Sequence, residues 1–327
     1  MTGAAFYCVA DAAFFLGAAG MISSLRLQGH TEPIYLLDLG LAEWQREALA
    51  GEVIMVDTSE EVPPHLSKTI APLAHPAETM VLIDTDMIVT RSLRPLLDAA
   101  ADGKLVAFRD RQQRFFPEWG EVLRGAEARP GPYLSSGLVV LSGSQGGEVL
   151  GLLAEAQDRV DYSRTYWRGN DREYPYLYAD QDVLNAIVAT RIEPARVVAL
   201  DGRLAATPPY RRLRLVDVAT LCCEFDDGTV PYVLHQFVRK PWLEPMYHGI
   251  YPRCLARLLL SDDVAIRVPP EAVPRWMRRG ARARAERTVV NVRDLGRYYI
   301  GDLLPAWIGN RLEDRRKRRE RAGAGVP

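Results

Sequence analysis

Two kinds of hydrophobic pattern alternate along most of the chain. Short segments rich in apolar residues predict strands at 6–10, 33–40, 53–58, 80–83, 103–108, 136–143 and 231–237. The run at 81–83 is continuously apolar, which is typical of a strand buried on both faces. Between them, apolar residues recur at helical spacing in the segment that follows Asp11 and in 41–51, 148–160 and 180–191. This alternation predicts an α/β fold in which helices flank a mostly parallel central sheet.

Length and charge divide the chain into two parts. Its 327 residues, 48% of them hydrophobic, suffice for one large domain with a sizeable core and an appendage. Residues 275–327 hold 15 Lys and Arg against 6 Asp and Glu, whereas residues 1–274 hold 26 against 36. We therefore expect a domain at 1–260 and a basic helical extension at 261–327, with its last residues disordered.

The basic extension also carries apolar and aromatic residues, among them Tyr298, Tyr299 and Trp307. This mixture suits an anionic membrane surface, where Tyr and Trp lie at the level of the headgroups. The alternative is an extension that packs on the domain and ends in a solvated arginine run. Nucleic acid is not an expected partner, because the body is acidic and shows no recognition motif.

The N-terminal segment and the cysteines bear on location. Asp11 interrupts the first apolar stretch, and no positive segment precedes it, so a strand and a helix are expected rather than a signal peptide or a membrane span. The adjacent Cys222 and Cys223 are expected to be small buried hydrophobic residues, and the four cysteines lack metal-ligand spacing. We expect a reduced, cytoplasmic protein, peripheral on the inner face of the membrane if the extension binds lipid.

Two aspartates, Asp84 and Asp86, follow the apolar run at 80–83. Open α/β sheets place their ligands at the carboxyl ends of strands, and residues two apart in an extended chain point to the same face. Two carboxylates this close destabilise each other unless a cation lies between them. The pair indicates a divalent metal site; the alternative is a turn with two solvated acids.

Three more segments follow the aspartates in order: YLSSGLVVL at 133–141, ADQDVLNAI at 179–187 and VLHQFVRKPW at 233–242. Together with the opening strand, turn and helix, this set resembles the retaining, metal-dependent glycosyltransferases of family 8, the glycogenin and lipopolysaccharide galactosyltransferase group. The resemblance implies the GT-A nucleotide-diphospho-sugar transferase fold. It also implies transfer of a hexose from a nucleotide sugar, a UDP-hexose, to an acceptor. The sequence does not identify the acceptor, and a glycan, a lipid-linked sugar, a small molecule and a protein all stay open.

The resemblance assigns charged residues to the metal and to the diphosphate. It implies that Asp84, Asp86 and His235 bind Mn²⁺ or Mg²⁺, a sensible ligand set for such a cation. It also implies that Lys240 meets the diphosphate, and Lys68 lies where the family keeps a basic residue near the donor phosphates. The alternatives are a satisfied core histidine at His235 and an exposed loop lysine at Lys68.

Other residues are assigned to the sugar and the nucleoside. The resemblance implies that Gln181 faces the anomeric carbon and that Asp180 contacts the donor sugar; Gln181 could instead cap its helix. Ser135 stands where many members have asparagine, and Asp11 falls near the turn that contacts the nucleoside. Trp242 is expected to support the neighbouring loop by packing.

Three other functions share single features with this sequence. A phosphatase of the haloacid dehalogenase type also has DxD after an apolar strand, but it requires Thr or Val where Ile88 stands, and the motif lies near its N-terminus. A sugar nucleotidyltransferase would show a glycine-rich loop with an arginine after its first strand, which 10–20 lacks. A non-catalytic nucleotide-sugar-binding protein is a further alternative.

Overall fold

A computed structural model of the chain describes residues 3–58, 66–122, 127–244, 249–278, 280–281, 285–286, 288–289 and 292. Its strands are β1 Ala4–Ala10, β2 Ile34–Asp38, β3 Ile54–Asp57, β4 Thr79–Ile83, β5 Met87–Val89, β6 Leu105–Arg109, β7 Leu134–Ser142, β8 Val197–Leu200, β9 Ala205–Ala206, β10 Leu213–Asp217, β11 Cys222–Phe225 and β12 Val233–His235. Its helices are α1 Phe15–Leu27, α2 Glu43–Leu49, α3 Ile70–Ala74, α4 Arg94–Ala99, α5 Trp119–Val122, α6 Gly143–Gln157, α7 Asp180–Thr190 and α8 Ile250–Leu260.

Seven strands form the central sheet, in the order β3-β2-β1-β4-β7-β6-β8. All neighbours pair in parallel except β7, which is antiparallel to both β4 and β6. The predicted α/β fold with a mostly parallel sheet is therefore confirmed. Because β4, β6 and β8 run in the same direction, their carboxyl ends lie along one edge of the sheet, where ligands of open α/β sheets bind.

The inner strands of the central sheet are buried on both faces, as strand β1 illustrates, whereas the edge strands β3 and β8 are only partly buried. Residues Phe6 and Cys8 of β1 belong to one core, together with residues of α1 and α8. Its residues Ala5 and Tyr7 belong to a second core, together with residues of α6 and α7. Successive strand side chains point to opposite faces, so a continuous apolar run is what a strand between two helical layers requires.

The last predicted strand, at 231–237, lies outside the central sheet. Strand β12 covers only Val233–His235 and belongs to a separate three-stranded sheet, β5-β12-β9. It pairs antiparallel with β5, with His235 opposite Met87. This pairing joins the segment around His235 to the chain that follows the two aspartates.

Residues beyond α8 continue to pack on the domain as far as Met277. The side chains of Ile266, Val268, Val273 and Met277 belong to the core that contains α1, and the Ile266 N–H donates to Ser23 Oγ at 3.2 Å. The aromatic residues of the predicted membrane-binding segment lie outside the described residues. Within the described part of the chain, no helix combines the length and apolar character needed to cross a membrane.

Candidate functional site

Asp84 and Asp86 lie in a tight turn between β4 and β5. The Asp84 N–H donates to the Gly137 carbonyl at 2.8 Å, and the Met87 N–H donates to the Asp84 carbonyl at 3.1 Å. The expectation that the two carboxylates share a face of an extended strand is therefore wrong, because a turn interrupts the extended chain after β4. They converge through the turn instead.

His235 approaches this turn from the neighbouring strand β12. Its Nε2 lies 3.3 Å from Asp86 Oδ1 and 3.9 Å from Asp84 Oδ2. Gly137 makes this approach possible, because a Cβ there would lie 2.6 Å from His235 Cε1 and 2.5 Å from Met87 Cε. One ligand atom from each of Asp84, Asp86 and His235 lies within 4.8 Å of the other two.

Two lysines neutralise the carboxylates of this cluster. Lys68 Nζ lies 2.6 Å from Asp84 Oδ1 and 2.7 Å from Asp180 Oδ2, and its side chain is only 18% exposed. Lys240 Nζ forms an ion pair with Asp86 Oδ2 and also donates to the Gln236 carbonyl. The alternative of an exposed loop lysine at Lys68 is therefore wrong. When no metal ion is bound, these buried carboxylates need positive charge nearby, and the two ammonium groups provide it.

The two aspartates respond differently to burial. Burial raises the pKa of Asp84, and Asp86 adds to this effect, although Lys68 acts in the opposite direction. Burial also acts to raise the pKa of Asp86, but Lys240 and His235 outweigh it and hold that pKa well below its ordinary value. The pKa of Lys68 is raised, since the two carboxylates overcome the opposing effect of burial.

The cluster fits a divalent cation. Asp86 Oδ1 is buried and accepts no hydrogen bond from the described residues, although it faces the imidazole of His235. A buried carboxylate oxygen without a donor is costly, and a cation would satisfy it. Carboxylates with one imidazole suit Mn²⁺, and also Mg²⁺, which prefers oxygen ligands.

The amino end of helix α7 borders the cluster. Ala179, which precedes the helix, has φ +41°, an unfavourable conformation for a residue other than glycine. Asp180 then contacts Lys68, while Gln181 Oε1 accepts from the Ser136 N–H at 3.3 Å and Gln181 Nε2 donates to Asp110 Oδ2 at 3.3 Å. No side-chain hydrogen bond caps α7, so the Gln181 amide links β7 to the chain after β6 rather than capping its own helix.

The remaining predicted residues lie around this centre. Ser135 is half-buried, and its Oγ accepts from the Gly137 N–H at 3.3 Å. Asp11 Oδ1 accepts from the Phe14 N–H at 2.9 Å in the turn before α1. Trp242 is buried, donates to the Ala13 carbonyl at 2.9 Å and packs edge-on against Phe14, so its predicted packing role is confirmed.

Asp182 and Asn185 hold α7 in place, a role that no sequence motif assigned to them. Asp182 is fully buried, accepts from the Tyr133 hydroxyl at 2.6 Å and forms an ion pair with Arg114 at 3.1 Å. Asn185 bonds both the N–H and the carbonyl of Leu134. The available signal was the position of these two polar residues beside the apolar residues of α7, since buried polar side chains require partners.

The cysteines depart in part from expectation. All four are free thiols; Cys8, Cys223 and Cys254 are buried, whereas Cys222 is only half-buried. The prediction of two small buried residues at 222 and 223 therefore holds for Cys223 alone. Cys222 differs because neighbouring residues of β11 point to opposite faces of the two-stranded ribbon β10-β11, and only the face with Cys223 and Phe225 packs in the core.

Comparison with known proteins finds solved structures with the same fold. No protein-family model matches the chain, and no curated protein matches its sequence. The galactosyltransferase LgtC in complex with donor and acceptor sugar analogs is 19% identical, with a TM-score of 0.50 over 79% of this chain and 98% of that one. An LgtC active-site mutant, in which glutamate replaces a glutamine, is 18% identical, with a TM-score of 0.51 over 82% and 98%.

A third structure extends the comparison to a larger protein. The bifunctional glycosyltransferase WbbM, in its apo form, is 15% identical, with a TM-score of 0.51 over 78% of this chain and 50% of that one. At such low identity the similarity concerns the fold, and it agrees with the sequence resemblance to family 8. The chain has the GT-A fold of these glycosyltransferases, with a candidate metal site at the carboxyl end of its fourth strand.

Proposed function

We propose that this chain is a metal-dependent, retaining glycosyltransferase that moves a hexose from a nucleotide sugar, a UDP-hexose, to an acceptor. The observation that carries the proposal is the convergence of Asp84, Asp86 and His235 within 4.8 Å at the ligand-binding edge of a GT-A fold. The solved structure of LgtC, a galactosyltransferase in complex with donor and acceptor sugar analogs, supports the same reaction class.

Mn²⁺ or Mg²⁺ would be held by these three side chains and would neutralise the charge that develops on the departing diphosphate. Lys240, paired with Asp86, and Lys68, paired with Asp84 and Asp180, lie beside the same three side chains. Their ammonium groups would bind diphosphate oxygens and so stabilise the leaving group. The two lysines would then pair with phosphate oxygens instead of with the aspartate carboxylates.

The donor sugar and nucleoside would lie on either side of the diphosphate. Asp180 and Ser135 would bind hydroxyl groups of the sugar, and the Gln181 amide would face the anomeric carbon, where an oxygen dipole stabilises developing positive charge. The LgtC mutant supports a role for Gln181, because it replaces an active-site glutamine. Asp11 would contact the nucleoside. Retention at the anomeric carbon is inferred from the family resemblance.

The test is a calorimetric titration of the purified chain with UDP, GDP, ADP and CDP, each with and without Mn²⁺, followed by release assays. Mn²⁺-dependent binding of one nucleoside diphosphate, and its release from the matching nucleotide sugar, are expected. Binding without release would favour the non-catalytic binding protein. Release of phosphate from a phosphomonoester would favour the phosphatase. Failure to bind any nucleoside diphosphate with Mn²⁺ would refute the proposal.

A further inference from the structure

An open cleft of about 560 Å³ lies at the carboxyl ends of β6 and β8. The two strands pair in parallel, so the chain leaves both at the same edge of the sheet. The lining includes Arg109, Asp110, Arg111 and Arg203. Gly202 lets the two chain segments meet at the base of the cleft, because a Cβ there would lie 2.3 Å from the Arg109 carbonyl oxygen.

The cleft begins beside Gln181. Asp110, in the cleft wall, accepts a hydrogen bond from Gln181 Nε2 at 3.3 Å. In the sheet, β7 and β6 separate β4, which carries Asp84 at its end, from β8. Neighbouring strands lie roughly 4.8 Å apart, so the cleft is on the order of 10–15 Å from the metal site. A separation of this size fits a charged group on the acceptor that lies one sugar unit away from the acceptor hydroxyl that reacts.

Only some of the arginine side chains in the cleft form ion pairs within the described part of the chain. Arg203 forms ion pairs with Asp201 and Asp227 at 3.2 and 2.6 Å. By contrast, the exposed side chains of Arg109 and Arg111 have no ion pair, hydrogen bond or aromatic contact with any part of the chain that the structure describes. Two unpaired guanidinium groups in one cleft favour an anionic ligand, since their planar donor sets match phosphate geometry.

We propose that this cleft is the acceptor site and that the acceptor carries a phosphate group, which Arg109 and Arg111 bind. The inference rests on the proposed function, because Gln181 then marks the position of the reacting carbon. Phosphate of this kind occurs on soluble sugar phosphates and on sugars linked through diphosphate to a lipid. Both sources present the same chemistry to the two arginines.

The first test measures binding to the metal-free protein in EDTA, with a hexose 6-phosphate and the matching methyl hexoside as probes. The wild type should bind the phosphorylated probe at least about tenfold more tightly, and the R109A/R111A double variant should lose this preference. Arg94→Ala, an exposed arginine of α4 outside the cleft, is the matched control and should keep it. Equal affinities in the wild type, or a preference that survives in the double variant, would overturn the inference.

The second test adds Mn²⁺ and the nucleotide sugar that the chain binds. Release of the nucleoside diphosphate is followed with the methyl hexoside, the hexose phosphate and a hexose linked through diphosphate to a short polyprenol. Faster release with either phosphorylated acceptor supports the inference and shows whether the phosphate belongs to a soluble sugar phosphate or to a lipid-linked sugar. Release no faster than with the methyl hexoside overturns the inference. Mn²⁺-dependent donor binding is scored separately, so failure of the proposed function is distinguishable from failure of the acceptor assignment.

Discussion

Asp84 and Asp86 differ in their protonation behaviour although a single residue separates them. Asp86 has an ammonium group of its own, from Lys240, and the imidazole of His235. Asp84 shares Lys68 with Asp180. The three carboxylates and two ammonium groups carry a formal charge of −1, which a divalent cation would change to +1. The cluster would then attract a diphosphate, and this reversal is the electrostatic basis of the proposed site.

The first prediction concerns Asp86. Asp86→Asn should weaken Mn²⁺ binding by at least about 100-fold and reduce transfer in parallel, because it removes the carboxylate that stays ionised and leaves Lys240 without its ion pair. Isothermal titration calorimetry and product release measure the two effects. Asp98→Asn, an exposed position of α4, is the control and should change neither. Wild-type Mn²⁺ affinity in Asp86→Asn would contradict the assignment.

The second prediction concerns pH. Burial raises the pKa of Asp84 in the metal-free chain, so this carboxyl takes up a proton at a higher pH than a solvated aspartate does. Mn²⁺ requires the carboxylate and must displace that proton, so its apparent affinity should fall as pH decreases, by up to about tenfold per unit for each displaced proton. Titrations in buffers of different ionisation enthalpy count the protons. A Mn²⁺ affinity that does not fall as the pH is lowered would be inconsistent with the raised pKa of Asp84.

At the scale of elements, helix α1 supports the turn between β4 and β5. Gly17 lies so close to that turn that a Cβ would be 2.6 Å from the Thr85 carbonyl oxygen and 2.8 Å from the Trp242 ring. Ser24 of the same helix accepts from the Val89 N–H of β5 at 2.9 Å. The helix thus holds both ends of the segment that carries the two aspartates.

The third prediction uses two helical glycines as a matched pair. Gly17→Ala should destabilise the protein by about 1–3 kcal/mol and weaken Mn²⁺ binding, because the new methyl group displaces Thr85 and Trp242. Gly147→Ala in α6 meets no atom within 4 Å and should be neutral or stabilise by up to about 1 kcal/mol. Urea unfolding and calorimetry measure both. Equal effects of the two substitutions would show that the close contact is unimportant.

Elements with a strong local pattern were predictable, whereas their long-range partners were not. The strands around Cys8 and Val140 and the helix around Ile187 follow directly from apolar runs and helical spacing. Nothing in local pattern pairs Tyr133 with Asp182, or Lys68 with Asp180, because those contacts depend on how distant elements pack. The ordered motifs were enough to name the candidate metal-binding residues. The geometry of the turn that carries them and the hydrogen bonds that support it required the structure.

For the whole molecule, the separation of charge between the acidic body and the basic C-terminal segment still requires a function. The expected domain boundary at 260/261 and the membrane-binding extension both stay predictions. Packing nevertheless indicates where a truncation should be made. Val273 and Met277 are buried in the core, so a cut after residue 270 would remove core side chains together with the arginines. A cut after Gly280 would spare them and remove a segment with twelve Lys and Arg against six Asp and Glu.

The fourth prediction follows from this choice. The 1–280 truncation should lose sedimentation with phosphatidylserine vesicles, since basic residues near an anionic surface contribute roughly 1 kcal/mol each. Its Mn²⁺ and nucleotide binding should match the full chain, because Asp84, Asp86 and His235 all precede the cut. For the full chain, binding should weaken with added salt and should be absent with neutral phosphatidylcholine vesicles. Vesicle binding that survives in the truncation would locate the membrane contact on the acidic body and refute the role proposed for the extension.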